Sequence, residues 1–303
     1  MQLSKEITTQ AASAPSTTEL ELKNDAGERY LIQISWPLAW EADPINNKPS
    51  VPVFYVLDGN AHFWTAVETV RRGLAAPQSK DAVVIGIGYP DCGHYVFGNP
   101  RSYDLTPPTE TYSPPRSWDG TVFNAPHGGA DNFLRFIEGP VRRHVLQVVL
   151  GGHKPEREVL VGHSYGGLCT LYSMFSGSAL FDTYIALSPS IFWNDNYLVS
   201  EAERFLDDRN SRKPLSLYLS YGYYEQYIRR RKAWSEEEYA LRAAHALGWR
   251  TNDLVEEMAA RLRASDKLKL VKCKAYADED HGSVAGCAIG WAMLDVLDPD
   301  RFA

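Results

Sequence analysis

The segment VLVGHSYGGLCTLYSMF, residues 159–175, decides how the chain is read. Its first three residues are apolar and strand-like. The run stops at Gly162-His163-Ser164-Tyr165-Gly166, and a second apolar stretch rich in small residues follows at once. Gly162-x-Ser164-x-Gly166 fits a strand that reverses into a helix within a residue or two, with the serine held on the turn. Side chains two positions before and after the serine would collide in such a turn, which accounts for both glycines. The turn lifts the Ser164 hydroxyl clear of the sheet, and the N-terminus of the next helix aims its amides at developing negative charge. Ser164 is therefore the candidate nucleophile, and the Tyr165 amide a candidate oxyanion donor.

The rest of the chain supplies the frame. Runs at 30–34, 51–57, 82–87, 184–187, 215–219 and 268–273 read as strands. The nearly unbroken apolar run at 51–57 suits a strand covered on both faces. Helical patterns separate the strands, at 61–74, at 131–150 with a perturbation near Gly139-Pro140, and at 235–264. Strands alternating with helices predict an α/β fold with a mainly parallel central sheet and helices on both faces. No repeat or linker divides the chain, so one domain is expected over 19–303, after a loose tail at 1–18 rich in Ser, Thr, Ala and Gln. The stretch 89–129, rich in Pro, Tyr and Gly, is too long for an ordinary connection and reads as functional. The segment 223–264 reads as a helical insertion and a candidate cap.

A serine hydroxyl needs a base to act at neutral pH. Of eight histidines, His281 lies in a polar loop after the final strand-like run, in the order serine, acid, histidine. His163 is read as packing beside the turn. Glu225 is the first carboxylate after the strand at 215–219, placed to orient the imidazole; Asp278 and Asp280 share the short loop of His281 and reach it awkwardly. A second oxyanion donor is expected from the loop after 51–57, at Gly59 or Asn60. The aromatic residues Phe63, Trp64, Tyr95, Phe97, Trp118, Phe192 and Trp193 are candidate walls for a pocket. His62, His94 and His127 are further pocket candidates; Arg101 is expected to pair with Asp104 and brace the loop beside the site, with a place in the substrate pocket as the alternative.

Composition narrows the alternatives. The 303 residues carry 31 Lys and Arg against 38 Asp and Glu, a formal charge of −7. That balance is ill suited to a polyphosphate backbone, and the one basic run, Arg229-Arg230-Arg231-Lys232, reads as a solvated helix face. No segment approaches the roughly 18 to 20 apolar residues that span a bilayer. The N-terminus lacks the apolar core of a secretion signal. Cys92, Cys169, Cys273 and Cys287 are far apart and read as free thiols of a reducing compartment, so a cytoplasmic location is expected. Gly86-Ile87-Gly88 lacks the third glycine of a dinucleotide fingerprint. No spacing suits metal ligands. No cofactor, metal, nucleic acid or membrane is expected; oligomeric state is left open.

With these residues in place, the chain resembles the esterase D-type family of α/β-hydrolases, and within it the siderophore esterases that open trilactone or cyclic tri-ester iron chelators, the enterobactin and triacetylfusarinine types. The motifs are Tyr55-Val56-Leu57-Asp58-Gly59-Asn60, which resembles the family's oxyanion loop; Gly86-Ile87-Gly88-Tyr89 followed by Arg101-Ser102-Tyr103-Asp104-Leu105-Thr106-Pro107; Gly128-Gly129-Ala130-Asp131-Asn132-Phe133-Leu134; and Ser188-Pro189-Ser190-Ile191-Phe192-Trp193. The likeness covers about residues 30 to 295. It implies an α/β-hydrolase fold and a serine esterase using Ser164 and His281 on a small-molecule ester, with intracellular hydrolysis of an imported iron-siderophore complex as the expected role. It leaves Glu225 open, because siderophore-cleaving relatives include Ser-His dyads. A general carboxylesterase or acyltransferase is the alternative within the same chemistry, and a non-catalytic binding scaffold the alternative outside it.

Overall fold

The computed structural model describes residues 14–41, 50–93, 95–97, 100–210 and 214–302. Among them lies an eight-stranded sheet in the order β1-β2-β4-β3-β5-β6-β7-β8. The strands are β1 Thr17–Lys23, β2 Arg29–Ser35, β3 Pro52–Leu57, β4 Val83–Gly88, β5 Arg157–His163, β6 Thr183–Leu187, β7 Leu215–Gly222 and β8 Leu268–Tyr276. The β1/β2 and β2/β4 pairs are antiparallel; every pair from β4/β3 to β7/β8 is parallel. This is the α/β-hydrolase fold, with helices on both faces.

The helices are α1 Gly59–Gly73, α2 Arg101–Asp104, α3 Ala130–Phe136, α4 Arg142–His144, α5 Tyr165–Ser176, α6 Trp193–Asp207, α7 Glu236–Trp249, α8 Thr251–Arg263 and α9 Val284–Leu297. Strand alternation divides the core between the two faces. Val53, Tyr55 and Leu57 of β3 point toward Leu168 and Leu171 of α5, Leu198 of α6 and Val255 of α8. Phe54 and Val56 point the other way, toward Phe63 and Val67 of α1 and Ile289 and Met293 of α9. All six residues of β3 and of β4 are buried, which explains why neither shows a polar face in its sequence.

Three expectations are refined. The helix expected at 131–150 exists but is broken into α3, a π-helical turn Ile137–Val141, α4 and a second π turn Val145–Val149. Pro140 sits in the first π turn, where it cannot donate to the helical ladder. The helical run at 235–264 divides at Arg250, whose φ of 51° and ψ of 34° place it in the left-handed region. α8 beyond it packs Leu254, Val255, Met258 and Leu262 into the core as the crossover between β7 and β8, whereas α7 buries only Ala246. Of the tail placed at 1–18, residues 1–13 lie outside the described residues, and Thr17 and Thr18 already belong to β1.

Candidate active site

The parallel strands β5, β7 and β8 deliver the site at their C-terminal ends. β5 ends at His163, α5 begins at Tyr165, and Ser164 between them has φ 60° and ψ −118°. A non-glycine residue there is strained, a condition that persists where the surrounding structure fixes it. The turn is tight enough to explain Gly162: a Cβ at that position would stand 2.1 Å from the carbonyl oxygen of Gly166. Gly166 itself is under less pressure, 3.3 Å from an Asp58 carboxylate oxygen, while Gly167 would bring a Cβ within 2.9 Å of Pro189. The third glycine, not the second, therefore lets α5 lie against the loop after β6.

His281 lies in the loop between β8 and α9, and Glu225 in the single turn Tyr223–Glu225 that follows β7. The Ser164 Oγ stands 2.9 Å from His281 Nε2, and His281 Nδ1 stands 2.6 Å from Glu225 Oε2. The carboxylate can only accept, so Nδ1 carries the proton and Nε2 is left to accept from the hydroxyl. The other carboxylate oxygen, Oε1, accepts from the Gly222 N–H and from the Ser188 hydroxyl, each at 2.6 Å. Glu225 is thus buried, with its side chain 2 % exposed, while the imidazole is 46 % exposed and open to a substrate. Such a chain of contacts can draw the proton from a serine hydroxyl as it attacks a carbonyl.

The candidate oxyanion donors lie on either side of the elbow. The Tyr165 amide opens α5, and those of Gly59 and Asn60 open α1, where first-turn amides have no helical acceptor. The loop after β3 is tied down by side-chain bonds. The Asn60 side chain donates to the Tyr89 carbonyl at 3.0 Å and accepts from the Tyr89 amide at 2.8 Å. Asp58, left-handed at φ 53°, binds Arg101 through two bonds of 2.7 and 3.0 Å. This corrects the expected Arg101–Asp104 pair. Asp104 faces Tyr30 and Tyr89 instead, and burial pushes its carboxyl up to about 7. Arg101 has its side chain 14 % exposed and Asp58 1 %. Removing one member of a buried pair leaves an uncompensated charge, so Arg101→Met is expected to destabilise the fold by roughly 3–5 kcal/mol in urea unfolding. Arg101→Lys should recover only part of that, because the bidentate geometry is lost.

A cavity of about 540 Å³ opens over Ser164, Glu225 and His281. Five aromatic residues line it, Tyr95, Phe123, Tyr165, Phe192 and Trp249, with Pro115, Ala125, Ser102, Ser190 and Thr251 between them. Phe192 and Trp249 stack at 4.4 Å and 7°. Among the sequence-predicted pocket residues, Trp64, Arg101, His127 and Trp193 do not line it. Trp64 projects from α1, 47 % exposed, edge-on to the buried Phe63. His127 stacks on Tyr112, which also packs against the buried Trp193. Phe192 and Trp193 are neighbours whose side chains diverge, one into the cavity and one into the core. Arg101 is held under the Phe97 and Tyr165 rings by Asp58. Phe97 and His62 pack together, Trp118 lies under Arg242 of α7, and His94 is outside the described residues.

Ser188, Phe123 and Trp249 escaped the sequence reading. Ser188 carries no pattern that marks it as a donor to Glu225, beyond its place at the end of a predicted strand. Trp249 lies in a helical run whose position over the cavity depends on the left-handed break at Arg250.

No family model matches the chain. It is similar to a siderophore enterobactin esterase of Emericella nidulans, at 43% identity over 269 residues, 88% of each chain. It is also similar to a siderophore triacetylfusarinine C esterase of Aspergillus fumigatus, at 38% identity over 288 residues, 91% of each chain. Among solved structures, the siderophore hydrolase EstA from Aspergillus nidulans matches it with a TM-score of 0.92 and 38% identity, covering 99% of both chains.

Proposed function

The chain belongs to the siderophore esterase family of α/β-hydrolases, and from this premise we propose that it hydrolyses the backbone esters of a siderophore through an acyl-enzyme on Ser164. The observation that carries the mechanism is the contact chain from Ser164 Oγ through the His281 ring to Glu225. In the first half-reaction the Ser164 oxygen attacks the ester carbonyl as its proton passes to His281 Nε2. The Tyr165 amide and that of Gly59 or Asn60 hold the oxyanion. The intermediate collapses, the alcohol leaves with the proton from His281, and the acyl group stays on Ser164. Water then repeats the sequence, giving up its proton to His281 and releasing the acid. Glu225 keeps the imidazole in the competent tautomer and stabilises its positive form.

The aromatic walls suit a bulky, largely apolar ester. We read α7 as a cap on that cavity. Its Trp249 stacks on Phe192, its Arg242 lies over Trp118, and its His245 ring bonds the Arg116 carbonyl at 2.7 Å, so it meets the long loop of residues 105–129 from the opposite side. The proposal extends to an iron-loaded substrate and to a cytoplasmic location, the latter supported by four free cysteines. Among the described residues, no helix is long and apolar enough to cross a membrane.

The test is a panel of ester siderophores, iron-loaded and iron-free, beside short aryl esters, with products followed by mass spectrometry. Opening of a siderophore, with one water added per ester cut, is expected. Turnover of aryl esters alone would leave a general carboxylesterase, and transfer to an added alcohol in preference to water an acyltransferase.

A further inference from the structure

We propose that His163 is a positioning residue for the base: its Nε2–H holds the backbone carbonyl of His281 and so keeps that imidazole aimed from Glu225 to Ser164. This rests on the reading that Ser164 and His281 perform the chemistry.

The bond from His163 Nε2 to the His281 carbonyl measures 2.8 Å and joins the last residue of β5 to the loop after β8, 118 residues away. The loop backbone is tied on both sides of the base. The Tyr224 amide donates to the Glu279 carbonyl at 3.0 Å, and the Val284 amide donates to the Asp280 carbonyl at 3.0 Å. The carbonyl of His281 itself is taken by His163, while both nitrogens of its ring are committed to Glu225 and Ser164. The base is thus fixed at three points, one on its backbone and two on its ring. The rings of His163 and His281 also pack with centroids 4.7 Å apart, which limits rotation of the exposed imidazole.

The chemistry of His163 fits this task. A carbonyl only accepts, so Nε2 carries the hydrogen and the neutral ring leaves Nδ1 bare. That Nδ1 is buried without a hydrogen-bond partner. Burial, followed by the nearby His281 and His62 rings, holds the His163 pKa well below the usual imidazole range, so it does not compete with His281 for the serine proton. A residue selected for packing alone would be apolar here. Its surroundings are Val56, Val161, Leu187 and Ile289, with His62 edge-on behind it at 5.6 Å. An imidazole with one unsatisfied nitrogen is explained by what its other nitrogen does.

The test compares His163→Phe and His163→Leu, which remove the donor, with His163→Gln, whose amide reaches about as far as Nε2. Loss of the donor is expected to lower kcat about 30-fold with KM within about twofold, since displacing a reacting group by a fraction of an ångström acts on the transition state. The Gln variant should return to within about threefold of wild type. Fluorophosphonate labelling of Ser164 should follow the same order. The low-field proton resonance of His281 Nδ1–H should be lost or shifted in the Phe and Leu variants and kept in Gln, a readout independent of turnover. Wild-type protein that takes no label overturns the catalytic reading. A labelled wild type with Phe and Leu variants within threefold of it, a Gln variant no better than those two, or an unmoved low-field resonance overturns this inference alone.

Discussion

Ser164→Ala is expected to lower kcat by roughly 10⁴- to 10⁶-fold and to abolish fluorophosphonate labelling. The attacking oxygen is the only group this substitution removes. The backbone of residue 164 keeps its φ of 60°, imposed by the close approach of Gly162 to Gly166 and by bonds from the Ser164 amide to the Leu187 carbonyl and from the Leu168 and Ser190 amides to the Ser164 carbonyl. Stability should therefore stay within about 0.5 kcal/mol of wild type. What activity remains comes from oxyanion donors and substrate binding alone. Paired urea curves and active-site titration separate the two effects. A variant that labels like wild type would remove Ser164 from the mechanism and turn attention to the binding-scaffold alternative.

Glu225→Gln should lower kcat roughly 10³-fold with little change in KM. The reason lies in which oxygen the protein holds. Oε1 accepts from both the Gly222 amide and the Ser188 hydroxyl, so an amide at this position must place its own oxygen there. Its NH₂ then takes the place of Oε2 and faces His281 Nδ1, which must turn from donor to acceptor. That tautomer carries its hydrogen on Nε2, pointing at Ser164, and cannot take the serine proton. Ser188→Ala in the Gln background frees one constraint on the amide and should restore part of the loss. A kcat within about twofold of wild type in Glu225→Gln would make the site a Ser-His dyad.

The elbow was legible because its geometry forces its composition: Gly162 has no room for a Cβ, and the apolar run before Ser164 is a strand buried on both faces. The buried strands β3 to β7 were legible for the same reason. β1 was not, because Thr17–Lys23 is an edge strand with charged residues alternating into solvent, indistinguishable by composition from a polar tail. Glu225 was singled out from strand order alone, and its carboxylate meets His281 Nδ1. The Ser188 hydroxyl that holds it depends on how the loops after β6 and β7 meet, which no local pattern encodes. The cavity walls were the least legible. Phe192 and Trp193 are equally aromatic, and only the backbone at the start of α6 decides which one faces a substrate. Arg101 was expected to pair with the nearby Asp104, and the left-handed turn at Asp58 brought a more distant carboxylate to it instead.

Ser164 is 117 residues from His281 along the chain, and Glu225 is 56. Their meeting requires β5, β6, β7 and β8 to be laid side by side through successive helical crossovers, each a long loop closure. Hydrolytic competence is accordingly expected late in refolding, as a report on completion of this half of the sheet. A nascent or truncated chain that ends before residue 281 carries Ser164 without the imidazole proposed as its base, and is expected to be inactive.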